Sequence, residues 1–252
     1  MDASRRCDDP LDLVAIDDDE LPDYEPATAP EYSIDDTTIP LHTYHLRQMS
    51  RKHQLFVPYG PSASSSYRAL GRSARLFSKK ADIDVWRTTP GSVKEEHISG
   101  IWFDNNGPLP WCPRAHFSYK DEQGSSTHGM ESRNFSDWSI VLGGSKCMWL
   151  LAAHGEYRMG LQELSSGDVI ARFNFSAEGT AASGGAEAGN LTIYRNALSL
   201  ENAGSVAEKI LCGLVVALAN FRKMGKYYRS FKGYESLQAR AALVIGVGTT
   251  ST

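Results

Sequence analysis

The chain has 252 residues and a formal net charge of −4, long enough to bury a substantial core in one domain with appendages. Its four cysteines, Cys7, Cys112, Cys147 and Cys212, lie far apart without a Cys-x-x-Cys pair, which argues against a zinc site and against a disulfide framework. No apolar stretch follows a basic start near Met1, so no secretory leader is expected and the chain reads as intracellular and reducing in habitat.

The charge is unevenly spread. Residues 1–36 hold thirteen Asp and Glu against Arg5 and Arg6, a balance of −11, which leaves +7 for the remainder. Residues 1–40 are rich in acid and proline, with few apolar positions and no period, and are expected to be a disordered tail. A basic body suits anionic partners, and the acidic tail would compete with them for the body. Within the tail, Leu21, Pro22 and Tyr24 form a Leu-Pro-x-Tyr sequence. It resembles the ligands of WW domains, whose aromatic grooves take the Pro and Tyr of a preformed extended turn.

From His42 the pattern turns to period two. Residues 43–47, 54–57, 66–70, 75–78 and 83–87 read as short strands, with a Ser-rich loop at 62–66. Residues 98–103 precede the chain reversal Asp104-Asn105-Asn106-Gly107, favoured because Asn and Gly tolerate positive φ. Residues 115–119, 138–142, 147–152, 158–163 and 169–175 continue the series. Residues 176–189 are small, Gly- and Ala-rich, and read as a flexible loop before a last strand at 191–194. Turn signals every 8–12 residues without helix alternation point to an all-β barrel or sandwich.

Residues 206–221, VAEKILCGLVVALANF, then break the pattern. A helix apolar on every side must be buried. This one falls short of the roughly 20 apolar residues of a membrane span, and Glu208, Lys209 and Arg222 bracket it. Strands first and one buried helix last predict a β-structure closed around a helical plug.

Chemistry-bearing motifs are sparse. The chain has no Gly-x-Ser-x-Gly elbow, no Gly-x-Gly-x-x-Gly after a strand and no His-Glu-x-x-His, so neither catalysis nor a cofactor is expected. The seven histidines are dispersed, and His42 and His45, three apart on one strand, would point to opposite faces. Basic residues carry more. Arg68, Arg72, Arg75, Lys79 and Lys80 fall in a strand–turn–strand region without acids, where they could converge on a phosphate. Arg222, Lys223 and Lys226 are interleaved with Tyr227, Tyr228 and Phe231 beyond the helix. Aromatic rings favour the lipid–water interface and cations pair with anionic head groups, so this second set suits a membrane surface. The same mixture could stack on single-stranded nucleic acid, though that is not the expected partner.

Three blocks carry a family resemblance: FDNNGPLPWCPRA (103–115), DVIARFNF (168–175) and NLTIYRNALSLENAGSVAEKILCGLVVAL (190–218). They are similar to blocks in small fungal members of the tubby C-terminal-like superfamily, which includes LURP-one-related proteins and phospholipid scramblases. The resemblance spans about residues 42–225 and implies a mainly β fold, a roughly twelve-stranded closed barrel wrapped around a central hydrophobic C-terminal helix. The expected domains are the tail (1–40), the barrel (41–225) and a basic-aromatic extension (226–252). The expected function is binding of an anionic, phosphoinositide-like membrane lipid or of a protein partner, without catalysis, in the cytoplasm or at a membrane periphery. The alternative is a protein-binding adaptor acting through the acidic tail and its Leu-Pro-x-Tyr motif.

Overall fold

The protein is described by a computed structural model covering residues 39–59, 65–72, 80–104, 113–121, 124–132, 134, 136–152, 157–200 and 202–230. The strand expected at 75–78, the tail with Leu21, Pro22 and Tyr24, and most of the 226–252 extension lie outside the described residues.

Twelve antiparallel strands form a closed barrel. They are β1 (Pro40–Ser50), β2 (His53–Tyr59), β3 (Ser66–Gly71), β4 (Ile83–Thr88), β5 (Glu95–Asp104) and β6 (Arg114–Asp121), followed by β7 (Gly124–Glu131), β8 (Trp138–Leu142), β9 (Ser145–Ala152), β10 (Arg158–Glu163), β11 (Val169–Phe175) and β12 (Ala186–Tyr194). Each strand pairs with its sequence neighbours, and β1 closes the ring on β12 with Tyr44 opposite Leu191. Closure leaves no strand edge exposed along the sheet.

The alternation read from the sequence is what the barrel wall requires, since successive side chains point to opposite faces. Tyr44 and Leu46, Phe56, Tyr67 and Ala69, Trp138, Ile140 and Leu142, Cys147 and Trp149, and Met159 and Leu161 all point inward and are buried. Two expectations are corrected. Strand β7, GSSTHGME, was absent from the sequence reading, because it offers only Met130 as a buried apolar residue. The stretch expected to be a flexible loop over 176–189 ends early, and β12 starts at Ala186 rather than 191.

Helix α1 (Ala203–Lys223) fills the barrel. Val206, Ile210, Leu211, Leu214, Val215, Leu218 and Phe221 are buried on all sides of it, which accounts for the absence of a polar stripe. By length and composition it could cross a bilayer, yet it is largely buried inside the protein. At roughly 1.5–3 kcal/mol per fully buried large apolar side chain, this helix contributes much of the core's stability. The helix ends in a Schellman turn: Gly225 takes φ +67°, which glycine adopts without a Cβ clash. Gly225 N–H donates to the Arg222 carbonyl (3.1 Å) and Lys226 N–H to that of Phe221 (2.9 Å).

Candidate functional site

In an up-and-down barrel, connections alternate between the two ends. The β1–β2, β3–β4 and β11–β12 connections therefore share the end where α1 emerges, and the helix begins at the other. The two ends differ in how their charges are met.

At the entry end, Glu208 and Lys209 are buried inside the barrel rather than bracketing the helix at its surface, as the sequence suggested. Glu208 is 1% exposed. It accepts hydrogen bonds from Tyr119 Oη (2.8 Å), Tyr67 Oη (3.2 Å) and Arg87 Nη1 (2.9 Å). Arg87 also reaches Glu96 at 2.6 Å, and the Lys209 ammonium lies 5.1 Å from the Tyr119 ring centroid. Burial, then the Glu208 charge, hold the Tyr119 phenol above its ordinary range. Tyr67 is raised too, by burial, Tyr44 and Glu208 in turn. Burial works against the Arg87 charge, but its bonds to Glu96 and Glu208 outweigh it and raise the guanidinium. A buried carboxylate with three donors is well compensated.

At the exit end a pocket of about 370 Å³ opens beside the last turn of α1. Arg51 and Lys52 from the β1–β2 turn, Arg72 just after β3, and Arg222 and Lys223 from α1 line it, with Asp82 in the wall. Ala69, Ile83, Phe103 and Ala219 supply apolar lining. Asp82 is engaged, accepting the Phe103 N–H at 2.8 Å, and Arg72 pairs with Asp84, which also lies 3.3 Å from His97 Nε2. Asp82 and Asp84 are two acidic side chains set against these five cations.

Arg222 is the most confined of these. Its Nε donates to the Thr180 carbonyl at 3.1 Å, while its Nη2 is buried without a hydrogen-bond partner among the described residues. Burial alone lowers the guanidinium to about 10, so it stays charged at neutral pH.

Thr180, in the short 3-10 turn Gly179–Ala181, anchors the chain beyond the helix. Its N–H donates to the Tyr228 carbonyl (3.0 Å), its hydroxyl donates to the Lys226 carbonyl (3.1 Å), and the same hydroxyl accepts from Tyr228 N–H (2.9 Å). Ser230 N–H donates to the Ser176 carbonyl at 2.8 Å. The packed domain thus continues past residue 225 at least to Ser230.

The structure redistributes the residues singled out in sequence. Arg68 lies on β3 in an ion pair with Glu95, away from the pocket. Arg72 joins the pocket, Lys80 is exposed just before β4, and Arg75 and Lys79 lie outside the described residues. Of the second set, Arg222 and Lys223 line the same pocket, so the two patches read as rivals meet there, with one residue from the first and two from the second. Tyr227 is 70% exposed. Tyr228 instead turns inward onto Phe221, Phe175 and Tyr157, with ring centroids 4.9, 5.8 and 5.2 Å away. Lys226 is half-buried under the Thr180 bond, and Phe231 is outside the described residues. Arg51 and Lys52 were missed in sequence. Counting reversals would have found them, because the first turn of an up-and-down barrel lies at the same end as the third.

Comparison of the chain with protein families, with curated proteins and with solved structures finds no match to any of the three.

Proposed function

We propose that this protein is a binding barrel of the tubby C-terminal-like kind, without catalytic activity, that docks through its helix-exit end on a membrane bearing anionic, phosphoinositide-like lipid. What carries the reading is the gathering of Arg51, Lys52, Arg72, Arg222 and Lys223 around the exit pocket, set beside the exposed Tyr227. Cations attract anionic head groups and an exposed aromatic ring favours the interface. A twelve-stranded ring around a buried helix is compatible with that family and supports the reading at the level of fold.

The test is co-sedimentation of the full chain with phosphatidylcholine vesicles, plain or doped with phosphatidylserine or phosphatidylinositol bisphosphate. Binding is expected only to doped vesicles. It should weaken as salt rises, since exposed charges are screened beyond about 10 Å at 0.1 M. Absence of binding to every anionic vesicle at low salt would refute the reading and favour the adaptor that acts through Leu21, Pro22 and Tyr24.

A further inference from the structure

The five residues that follow the α1 turn sit on the barrel as a bound peptide would. Lys226, Tyr228 and Ser230 are half-buried while Tyr227 and Arg229 are exposed, the period-two alternation of an extended strand. Yet the segment has no place in the barrel ladder, which β1 and β12 close without it. Its hold is on the turn Gly179–Ala181 and on Ser176. Thr180 N–H donates to the Tyr228 carbonyl, the Thr180 hydroxyl donates to the Lys226 carbonyl and accepts from Tyr228 N–H, and Ser230 N–H donates to the Ser176 carbonyl. On the segment's side all four bonds involve main-chain groups, so they require an extended chain and no particular sequence. Selectivity comes from one side chain. The Tyr228 ring enters a slot walled by Phe221, Phe175 and Tyr157, and its hydroxyl meets the Ser136 side chain. Gly179 completes the fit: it takes φ +53°, and a Cβ there would collide with the Tyr228 carbonyl oxygen, so the turn is shaped for close approach of a visiting backbone. Main-chain bonds for affinity and a pocket for one side chain are the anatomy of extended-peptide recognition.

We infer that this slot is a peptide-docking site, filled by the chain's own 226–230 segment, and that its partner in trans is an extended, tyrosine-bearing peptide of another protein. The resident segment acts as a built-in competitor. Its attachment suits that role, because Gly225 ends the helix at φ +67° directly before it. The segment can swing away there while the bonds of the helix-ending turn stay made, and neither α1 nor any strand has to move. Tyr227 and Arg229, which flank the tyrosine, face solvent, so the partner's sequence is free to vary at those positions. A partner must displace a tethered rival whose effective concentration is on the order of mM for a short linker, which makes docking weak and reversible. The inference is independent of membrane docking, since it uses neither the pocket cations nor a lipid.

The competing account is a plain tether that only fastens the helix end. Amide hydrogen exchange in the full chain reads the first difference. The Tyr228 and Ser230 amides should exchange by local opening, about 100-fold or more faster than the Leu214 amide in mid-helix. Exchange of all three together, through global unfolding, would overturn the inference. Fluorescence anisotropy reads the second difference, with a labelled peptide of residues 224–232 as the probe. The wild-type full chain should bind it weakly, and Tyr228→Ala, which empties the slot, about tenfold or more tightly than that. Adding Thr180→Val, which removes the hydroxyl at nearly constant shape, should abolish binding, and a probe carrying Tyr228→Ala should bind neither protein. Equal affinity for the wild type and Tyr228→Ala, or no binding by either, would sink the proposal, as would binding that survives Thr180→Val. Self-association of the full chain that Tyr228→Ala abolishes would make a second copy the occupant and rule out the foreign partner. Should Tyr228→Ala not fold, binding by the wild type and its loss in Thr180→Val alone decide the question.

Discussion

Glu208 enters the barrel one turn into α1 and finds three donors waiting on β3, β4 and β6. Arg222 leaves it one residue before the helix end, where its Nε donates to a neutral carbonyl beside the pocket. Both are ionisable groups on the same helix, Glu208 fully buried and Arg222 half-buried. The entry end is therefore a finished electrostatic structure whose worth is in stability and in fixing the rotation of the helix. At the exit end, by contrast, Arg222 Nη2 is left without a hydrogen-bond partner among the described residues.

The helix that joins the two ends offers the largest perturbation. Leu214 is fully buried at its middle, and Leu214→Asp should abolish cooperative folding, since an unpaired buried carboxylate costs several kcal/mol, on the order of the whole stability of a domain. A soluble variant with a sharp melting transition would show that α1 does not hold the barrel together. Next comes the entry end itself. Glu208→Ala removes the buried carboxylate partner of Arg87, leaving it Glu96, and takes an acceptor from Tyr67 and Tyr119, so urea unfolding should show a loss of about 3 kcal/mol. A loss below about 1 kcal/mol would erase the contrast with Arg222, whose replacement by Gln should cost about that through one missing bond to a carbonyl.

Two adjacent tyrosines sharpen the exit side. Tyr228→Ala should destabilise by about 2 kcal/mol because its ring packs under the helix end. Tyr227→Ala should leave stability within about 0.5 kcal/mol and instead reduce retention on anionic vesicles. Equal stabilities for the two variants would mean that the Thr180 anchor does not hold the segment down.

One further effect is confined to alkali. Burial pushes the thiol of Cys147 up to about 11 and that of Cys212 up to about 12, with Glu163 and Glu208 respectively adding to it. In the unfolded chain both ionise near their ordinary value, so above about pH 9 the unfolded state loses protons that the native state keeps. Stability should then fall as pH rises toward the native values, by at most about 1.4 kcal/mol per unit for each thiol. Urea midpoints through that range measure the slope, and Cys212→Ala should flatten it. No change on replacement would show that Cys212 is not protected from ionisation.

Legibility in the sequence followed chemistry. Strands with alternating large apolar residues, such as β8 and β10, were readable to the residue, and the plug, read as 206–221, falls inside the helix Ala203–Lys223. Strand β7 was not, because its inward positions include Ser126 and His128 in place of aliphatics. The start of β12 was hidden for a different reason. Gly189 looks like loop material, but a Cβ there would come within 2.6 Å of the Phe173 ring and 2.3 Å of the Asn174 carbonyl, so the glycine marks close strand packing. At the candidate site, individual cations were visible and their grouping was not. Arg72 and Arg222 are far apart in sequence, and only strand parity brings them to one pocket. The pairing of Arg68 with Glu95 was equally hidden, since the partner lies two strands away.

The order of the elements along the chain has a consequence for biosynthesis. Chains emerge N-terminus first, at about 5–20 residues per second, so all twelve strands precede the helix they enclose. Until α1 is made, Tyr44, Phe56, Trp138, Trp149 and Phe173 have no interior partner. The one long-range pairing that seals the ring, β1 with β12, also comes last. Local hairpins can form early, but closure over an empty centre would leave a large void lined by aromatic rings. Barrel closure and helix entry must therefore coincide, late and in a single step. A nascent chain halted before residue 203 would present an apolar sheet surface, the kind of surface that chaperones hold and proteases clear.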